Sequence, residues 1–147
     1  ARAFGASKIF MNEVDPEISD TIRKINSTWG GDFEIEFFED WKKVLNSKIG
    51  KSKIIHLTMY GEDINKIHTQ IQSQEKILVV VGAEKVPRAI YEKADYNVSI
   101  GSQPHSEVSA LAILLDRIQN GKQFDKKFNG SKRIIIPSKN GKNVQEV

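Results

Sequence analysis

The chain has no cysteine among its 147 residues. This absence excludes disulfide bonds and thiolate metal sites, and it is compatible with a reducing compartment, so we expect a cytoplasmic protein. No apolar run approaches the roughly 20 residues that a membrane-spanning helix needs, and no signal peptide is visible. We therefore expect no association with a membrane.

Familiar nucleotide and metal motifs are also lacking. Val81-Gly82-Ala83-Glu84 follows an apolar run but does not have the GxGxxG spacing, and no segment matches GxxxxGK[ST]. The histidines, at His56, His68 and His105, are too scattered to predict a metal site. No spacing of serine, histidine and carboxylate indicates a hydrolase. These gaps argue against a classical dinucleotide, ATP or metal enzyme.

What the sequence does contain is a regular alternation of apolar and amphipathic segments. It predicts strands over residues 8–11, 33–38, 53–59, 76–81, 96–100 and 134–136. It predicts helices over residues 15–29, 40–48, 63–74, 87–94 and 106–120, the first with an Asp15 N-cap and Pro16 in its first turn. Five alternations of strand and helix predict one α/β domain over residues 1–147, with a mostly parallel sheet and helices on both faces.

Positive charge is concentrated at one end of the chain. The net charge is +3, but the segment 122–147 alone carries seven cations against two anions, Asp125 and Glu146. Taken alone, this pattern favours an ordinary solvated lysine-rich surface over a phosphate-binding patch. The cations are Lys122, Lys126, Lys127, Lys132, Arg133, Lys139 and Lys142.

Three predicted strands end in glycine-containing turns, at residues 57–61, 82–87 and 100–107, and each turn leads towards a helix. Ligands of parallel α/β sheets bind beyond the carboxyl ends of the strands, where free backbone N–H and C=O groups can form hydrogen bonds to a small molecule. For any one turn taken alone, the glycine is better interpreted as the end of a strand than as part of a ligand site. Three such turns at one sheet edge favour a small-molecule site.

The last predicted helix has more apolar residues than one buried face requires. Val108, Leu111, Ala112, Leu115 and Ile118 form one stripe, and Ile113 and Leu114 lie off it. Either the helix is enclosed within the domain, or its second face meets another subunit. We favour a dimer, because burying an exposed Leu or Ile is worth roughly 1.5–3 kcal/mol.

The turns resemble the ligand loops of archaeal tRNA cytidine-56 ribose 2′-O-methyltransferases, a family of the knotted SPOUT class. The resemblance extends from Ala1 to about Pro137 and also takes in Trp29-Gly30-Gly31. It is carried by Ile55-His56-Leu57-Thr58-Met59-Tyr60-Gly61, by Val81-Gly82-Ala83-Glu84-Lys85-Val86-Pro87-Arg88, by Ala94-Asp95-Tyr96-Asn97-Val98 and by Ile100-Gly101-Ser102-Gln103-Pro104-His105-Ser106-Glu107-Val108 running on to Leu114-Leu115-Asp116-Arg117.

This resemblance implies a deep trefoil knot in the carboxy-terminal half, a homodimer, S-adenosyl-L-methionine as methyl donor and tRNA as substrate, with no metal. It implies that tRNA phosphates contact Lys122, Lys126, Lys127, Lys132 and Arg133 within the basic segment 122–147. It also implies that the donor is held by Leu57, Gly82, Ala83, Glu84, Lys85, Val86, Ile100, Gly101, Ser102, Gln103, Pro104, His105, Ser106 and Glu107.

The chain departs from the family pattern in two places. Ser102 stands where the family usually has asparagine. Ala1-Arg2-Ala3-Phe4-Gly5-Ala6 resembles the tail of the family's first motif, so we expect an N-terminally truncated domain whose catalytic arginine lies upstream of Ala1. Arg2 falls after the usual position of that arginine and is a weak substitute for it.

By position in the family motifs, we assign Glu84 and Glu107 to positioning and not to proton abstraction. Simpler roles are open to both: Glu84 could pair with Lys85 or Arg88, and Glu107 could only favour a helix N-terminus. Three rival functions remain: an RNA-binding protein of this fold without activity, a nucleotide-binding domain of flavodoxin type, and a methyltransferase acting elsewhere on RNA.

Overall fold

The computed structural model describes residues 1–12, 14–72, 74, 76–82 and 85–147. Its strands are β1 (Lys8–Met11), β2 (Glu34–Phe37), β3 (Lys53–Asp63), β4 (Ile77–Val81), β5 (Tyr96–Ser99), β6 (Arg133–Ile135) and β7 (Val144–Glu146). Its helices are α1 (Pro16–Trp29), α2 (Trp41–Lys48), α3 (Ile64–Gln72), α4 (Arg88–Lys93) and α5 (Glu107–Gln119), with short 3₁₀ helices at Arg2–Phe4 and Lys122–Asp125. No helix of the described residues has the length and apolar character to cross a bilayer.

The predicted helices begin where their capping residues place them. The Asp15 carboxylate accepts hydrogen bonds from the Glu17 and Ile18 amides at 2.9 and 3.3 Å. Ser106 caps α5 by accepting from the Val108 amide at 3.2 Å. Side-chain oxygens in this position satisfy amides that have no partner within the helix. The prediction of α1 and α5 is therefore confirmed to within a residue or two.

The parallel strands form two sheets instead of the single sheet that the sequence pattern predicts. Strand β3 pairs in parallel with β4 on one side and β5 on the other, while β1 pairs in parallel with β2 alone. A groove of about 730 Å³ separates the two sheets, and residues of both β1 and β4 line it. Strand β7 was not predicted; it forms an antiparallel hairpin with β6.

Helices cover both faces of the β3 sheet, as predicted. Ile54 and Ile55 are consecutive in β3, so their side chains point to opposite faces. Ile54 packs in a cluster with Leu45 of α2 and Ile90 of α4. Ile55 packs in the larger core with residues of α3 and α5: Ile64, Ile67, Ile71, Ala110 and Leu114.

Strand β3 continues four residues beyond its predicted end, and its path is irregular there. Val98 of β5 is paired both with Leu57 and with Glu62. A Cβ added to Gly61 would lie 2.5 Å from the backbone of Asn97 and Val98. Only glycine permits this close approach, so the segment between Leu57 and Glu62 runs directly against β5.

Helix α5 is more enclosed than the dimer interpretation assumes. Leu114 is 0% exposed and belongs to the core, so it needs no second subunit. Val108, Leu111, Leu115 and Ile118 line the groove between β1 and β4. Of the two residues off the main stripe, Ile113 alone stays open to solvent, at 42% exposure.

Candidate active site

A cavity of about 510 Å³ lies at the irregular part of β3 that begins at Leu57, beyond the carboxyl ends of β4 and β5. Parallel pairing of these three strands brings that part of β3 and the segments after β4 and β5 to one edge of the sheet. The volume is typical of a small-molecule site. The wall is formed by His56, Leu57, Thr58, Met59, Tyr60, Val81, Gly82, Lys85, Val86, Tyr91, Val98, Ile100, His105, Glu107 and Ala110.

Half of the predicted donor-binding residues form part of this wall: Leu57, Gly82, Lys85, Val86, Ile100, His105 and Glu107. Five others lie in the same turn after β5 without forming part of the wall: Gly101, Ser102, Gln103, Pro104 and Ser106. The predictions for Ala83 and Glu84 fall outside the described residues. The structure thus brings the three predicted turns together around one cavity.

Gly82 and Val86 lie close together after β4. A Cβ at Gly82 would collide with Cγ2 of Val86, so a larger residue at Gly82 would require the Val86 side chain to shift. Lys85 and Val86 line the cavity wall together with Val81. The cavity therefore receives an apolar surface and one exposed cation from the same turn.

The turn after β5 is closed by His105. Its Nε2 lies 2.5 Å from the carbonyl oxygen of Ile100, to which it donates. Gly101 has φ of +73°, a conformation that glycine adopts without strain. The closed turn ends at the Ser106 cap, so Glu107 enters the first turn of α5 at the cavity wall. A carboxylate in this place interacts favourably with the helix dipole.

Beneath the cavity is a polar network around the buried His56, which sequence reasoning did not predict. Asn97 donates from Nδ2 to the Tyr91 carbonyl at 3.0 Å, so its Oδ1 faces His56. That oxygen lies 2.9 Å from Nδ1 of His56, which must therefore carry the proton. Burial lowers the pKa of His56, against a smaller opposing effect of the Asn97 hydrogen bond. His56 is thus a neutral, fixed part of the cavity floor.

Two hydroxyl groups continue this network towards the opening. The Thr58 and Tyr91 hydroxyls are 3.0 Å apart, and the His56 and Tyr91 rings pack edge to face at 4.5 Å. Tyr91 lies on α4, and neither its spacing nor its neighbours in the sequence indicate a place in a ligand site. The other wall residues not predicted to bind the donor are Thr58, Met59, Tyr60, Val81, Val98 and Ala110, although Thr58, Met59 and Tyr60 belong to the turn noted in the sequence.

Arg2 has a structural role. Its guanidinium donates to Asn26 Oδ1 at 3.0 Å and to the carbonyls of Trp29 and Gly30 at the end of α1. It also lies 4.4 Å from the centre of the Phe128 ring. A cation at the last carbonyls of a helix is stabilising. These contacts occupy Arg2 away from the cavity wall, in agreement with its being a weak candidate for catalysis.

The predicted RNA-binding cations lie on the surface that follows α5. Lys122 and Lys126 line a second, shallower hollow at the end of that helix. Lys126 lies 5.5 Å from the Phe128 ring, and Arg133 pairs with Glu146 at 3.1 Å. Lys127 and Lys132 are both exposed. Among the described residues no cluster of metal-ligating side chains is found.

The profile of one protein family, described as "tRNA ribose 2′-O-methyltransferase, aTrm56", matches residues 29–145. Curated proteins named "tRNA (cytidine(56)-2′-O)-methyltransferase" are similar along the whole chain. The protein from Nitrosopumilus maritimus is 63% identical over 99% of this chain and 82% of its own length. Those from Cenarchaeum symbiosum and Thermococcus kodakarensis are 55% and 47% identical, covering 99% and 100% of this chain and 83% and 84% of their own lengths.

Solved structures share the fold at low sequence identity. An RNA 2′-O ribose methyltransferase is 20% identical with a TM-score of 0.59, over 83% of this chain and 48% of its own. The SpoU methyltransferase AviRb from Streptomyces viridochromogenes, solved with the cofactor AdoMet, is 13% identical with a TM-score of 0.52, over 82% and 51%. This chain spans about half the length of those two proteins.

Proposed function

The chain belongs to the tRNA ribose 2′-O-methyltransferase family, and on that premise we propose that it transfers the methyl group of S-adenosyl-L-methionine to the ribose 2′-oxygen of cytidine 56 in tRNA. The observation that carries this proposal is the cavity that the irregular part of β3 forms with the segments after β4 and β5. A family match over residues 29–145 and relatives named for cytidine 56 support the substrate.

The cavity fits the methyl donor in size and chemistry. Val86, Val98, Ile100 and Ala110 give it apolar surface, which suits a purine ring and a thioether chain. Lys85 and Glu107 supply one charge of each sign, which suits the carboxylate and ammonium ends of an amino acid. When bound, S-adenosyl-L-methionine supplies an electrophilic methyl group on a sulfonium. The donor-binding role of the whole predicted set, from Leu57 through Glu107, is part of this proposal.

The residues of the chain contribute by positioning. The reaction needs the ribose oxygen, the methyl carbon and the sulfur in line, so most of the rate gain comes from holding two molecules in one geometry. His56, Asn97, Tyr91 and Thr58 form a hydrogen-bonded floor on one side of the cavity, with His56 neutral. Glu107, at the cavity wall, orients the donor and is not assigned proton abstraction. The same positioning role is proposed for Glu84.

We further propose that the arginine that assists removal of the hydroxyl proton lies on a segment preceding Ala1, and that this segment adds a strand in the groove between β1 and β4. Both strands present an unpaired edge to that groove, and the apolar stripe of α5 forms its floor. Val81 and Glu107 line both the groove and the cavity. A strand parallel to β4 would therefore end beside the cavity, where a following arginine could reach the reacting atoms.

The knot is proposed from the path of the chain around β5. Val98 pairs with Leu57 and again with Glu62, and Gly61 touches the Asn97–Val98 backbone. The segment between them thus passes closely over β5 before α5 begins. This arrangement supports a carboxy-terminal trefoil knot formed around the donor site, within one domain over residues 1–147 that carries the basic segment 122–147.

For the substrate, we propose that tRNA phosphates bind the exposed cations after α5, namely Lys122, Lys126, Lys127, Lys132 and Arg133. A homodimer is proposed on the exposure of Ile113 and on the family resemblance, since Leu114 no longer supports it. We propose the cytoplasm as the place of action, because that is where the tRNA substrate is found.

The test is methyl transfer from labelled S-adenosyl-L-methionine to tRNA by the full-length protein, with the product mapped by its resistance to alkaline cleavage. We expect label at the ribose of nucleotide 56 and none in tRNA already methylated there. Transfer to a base atom or to another nucleotide would contradict the proposed target. Binding of tRNA and S-adenosylhomocysteine without transfer would contradict the activity.

A further inference from the structure

Tyr60 is an aromatic residue at the rim of the donor cavity with no evident part in folding. Its side chain is 80% exposed, yet it forms part of the cavity wall. The buried clusters of the described residues do not include it. A tyrosine ring open to solvent at the mouth of a site has an apolar face available to a ligand.

The backbone that carries Tyr60 is held in place. The Tyr60 amide donates to Thr58 Oγ1 at 3.4 Å, and that oxygen lies 3.0 Å from the Tyr91 hydroxyl. On the other side, Gly61 packs directly on the backbone of β5. The ring is thus presented from an anchored part of β3, and binding a partner there costs little ordering of the backbone.

We propose that Tyr60 stacks on the base of the nucleotide whose ribose is methylated, an inference that rests on the proposed function. The donor occupies the cavity, so the acceptor ribose must approach through the mouth with its base attached. A nucleotide that leaves the tRNA stack loses its neighbouring bases, and aromatic side chains replace that stacking in RNA-binding proteins.

The stacking is a positioning interaction with the substrate and not with the donor. It engages the face of the base, so the phenol oxygen is not needed and phenylalanine should replace tyrosine. Phe124 provides a matched control, because it is also an exposed aromatic, at 69%. It follows the far end of α5, whose 13 residues span about 20 Å from the cavity wall.

A double-mutant cycle between protein and RNA tests this assignment. The affinity of fluorescein-labelled tRNA for the full-length protein is measured by anisotropy with saturating S-adenosylhomocysteine, using tRNA with and without the base at position 56. We expect Tyr60→Ala to weaken binding of intact tRNA about tenfold. It should not weaken binding of tRNA that lacks the base. Tyr60→Phe should bind like the wild type, and Phe124→Ala should affect both RNAs equally.

Three results would overturn the assignment. Equal losses of Tyr60→Ala for both RNAs would show that the ring does not contact that base. A weaker affinity of Tyr60→Ala for S-adenosylhomocysteine by calorimetry would assign the ring to the donor. A changed sedimentation coefficient would assign it to a subunit contact. Absence of methyl transfer by the wild type would instead overturn the proposed function, and the stacking role with it.

Discussion

Asn97 fixes the tautomer of His56. The Asn97 amide must donate to the Tyr91 carbonyl, so the oxygen 2.9 Å from His56 Nδ1 accepts and the imidazole keeps its proton on that nitrogen. Strand β5 and helix α4 are thereby tied to β3 beneath the cavity. The floor of the cavity is consequently continuous with the folded core.

Removing this amide should cost stability. We expect Asn97→Leu to lower the free energy of unfolding by about 1–3 kcal/mol, because it leaves the His56 Nδ1 proton and the Tyr91 carbonyl without partners. Urea denaturation followed by circular dichroism measures the change. Asn140→Ala, at an exposed position, should stay within about 0.5 kcal/mol of the wild type. An equally small effect at Asn97 would contradict the network.

The pair of Lys53 and Asp95 predicts a response to acid. Burial of Asp95 acts to raise its pKa, but hydrogen bonds from the Ile54 amide and from Lys53, each at 2.8 Å, outweigh it and hold the pKa below its ordinary value. A carboxyl whose pKa is lower in the folded state stabilises the fold above its unfolded pKa, about 3.9. That stabilisation is lost as the pH falls through the folded-state pKa.

Asp95→Asn should therefore flatten the pH dependence of stability. We expect the difference in unfolding free energy between wild type and variant to shrink as the pH is lowered from 6 to about 3. Thermal unfolding across that range measures it. Asp32→Asn, which removes the same charge at an exposed position, is the control. A difference that stayed constant with pH would show that Asp95 acts without its charge.

Ile113 and Leu114 are adjacent in α5, but Leu114 is buried in the core and Ile113 is exposed to solvent. Leu114→Ala should destabilise the fold by about 2–5 kcal/mol, because it opens a cavity in the core. Ile113→Ala should change the stability of a monomer by less than about 0.5 kcal/mol. If the proposed dimer uses this face, Ile113→Asp should dissociate it in sedimentation experiments. A dimer that survives this change must use another surface.

Gly61 should not accept a side chain. Gly61→Ala would place a methyl group against the Asn97–Val98 backbone, so we expect a larger loss of stability than for Gly50→Ala. Gly50 has free space around it but φ of +75°, which costs an alanine about 1–2 kcal/mol. Gly61→Ala should also weaken S-adenosylhomocysteine binding, measured by calorimetry, because the donor turn would move. Normal binding by a folded Gly61→Ala variant would contradict the close crossing.

The cations after α5 should set the salt dependence of tRNA binding. Each neutralised phosphate contributes a slope of about 0.7–0.9 to the fall of log affinity with log salt concentration. We expect replacement of Lys126 and Lys127 by glutamine to reduce that slope by about 1–2. Lys66→Gln on α3 is the control, at an exposed position outside the proposed surface. An unchanged slope would place the phosphates elsewhere.

Residues close together in the sequence determined the local structure and the three glycine-containing segments that meet at the cavity. The Asp15 and Ser106 caps and the apolar spacing in β3 and α5 depend on hydrogen bonds and burial within a few residues, and these signals can be read directly. The parallel direction of the strands also followed from their alternation with helices. It was enough to place Leu57, Gly82 and Ile100 at one edge of a sheet.

Contacts between distant residues decided the features that the sequence did not predict. The division of the sheet at the groove, the burial of Leu114 and the arrival of Tyr91 from α4 at the cavity depend on pairing across tens of residues. No local periodicity encodes such pairing, because the residues next to a position in the sequence do not specify which distant residue it will contact. The double pairing of Val98 with Leu57 and Glu62 is of the same kind: it follows from the path of the whole chain.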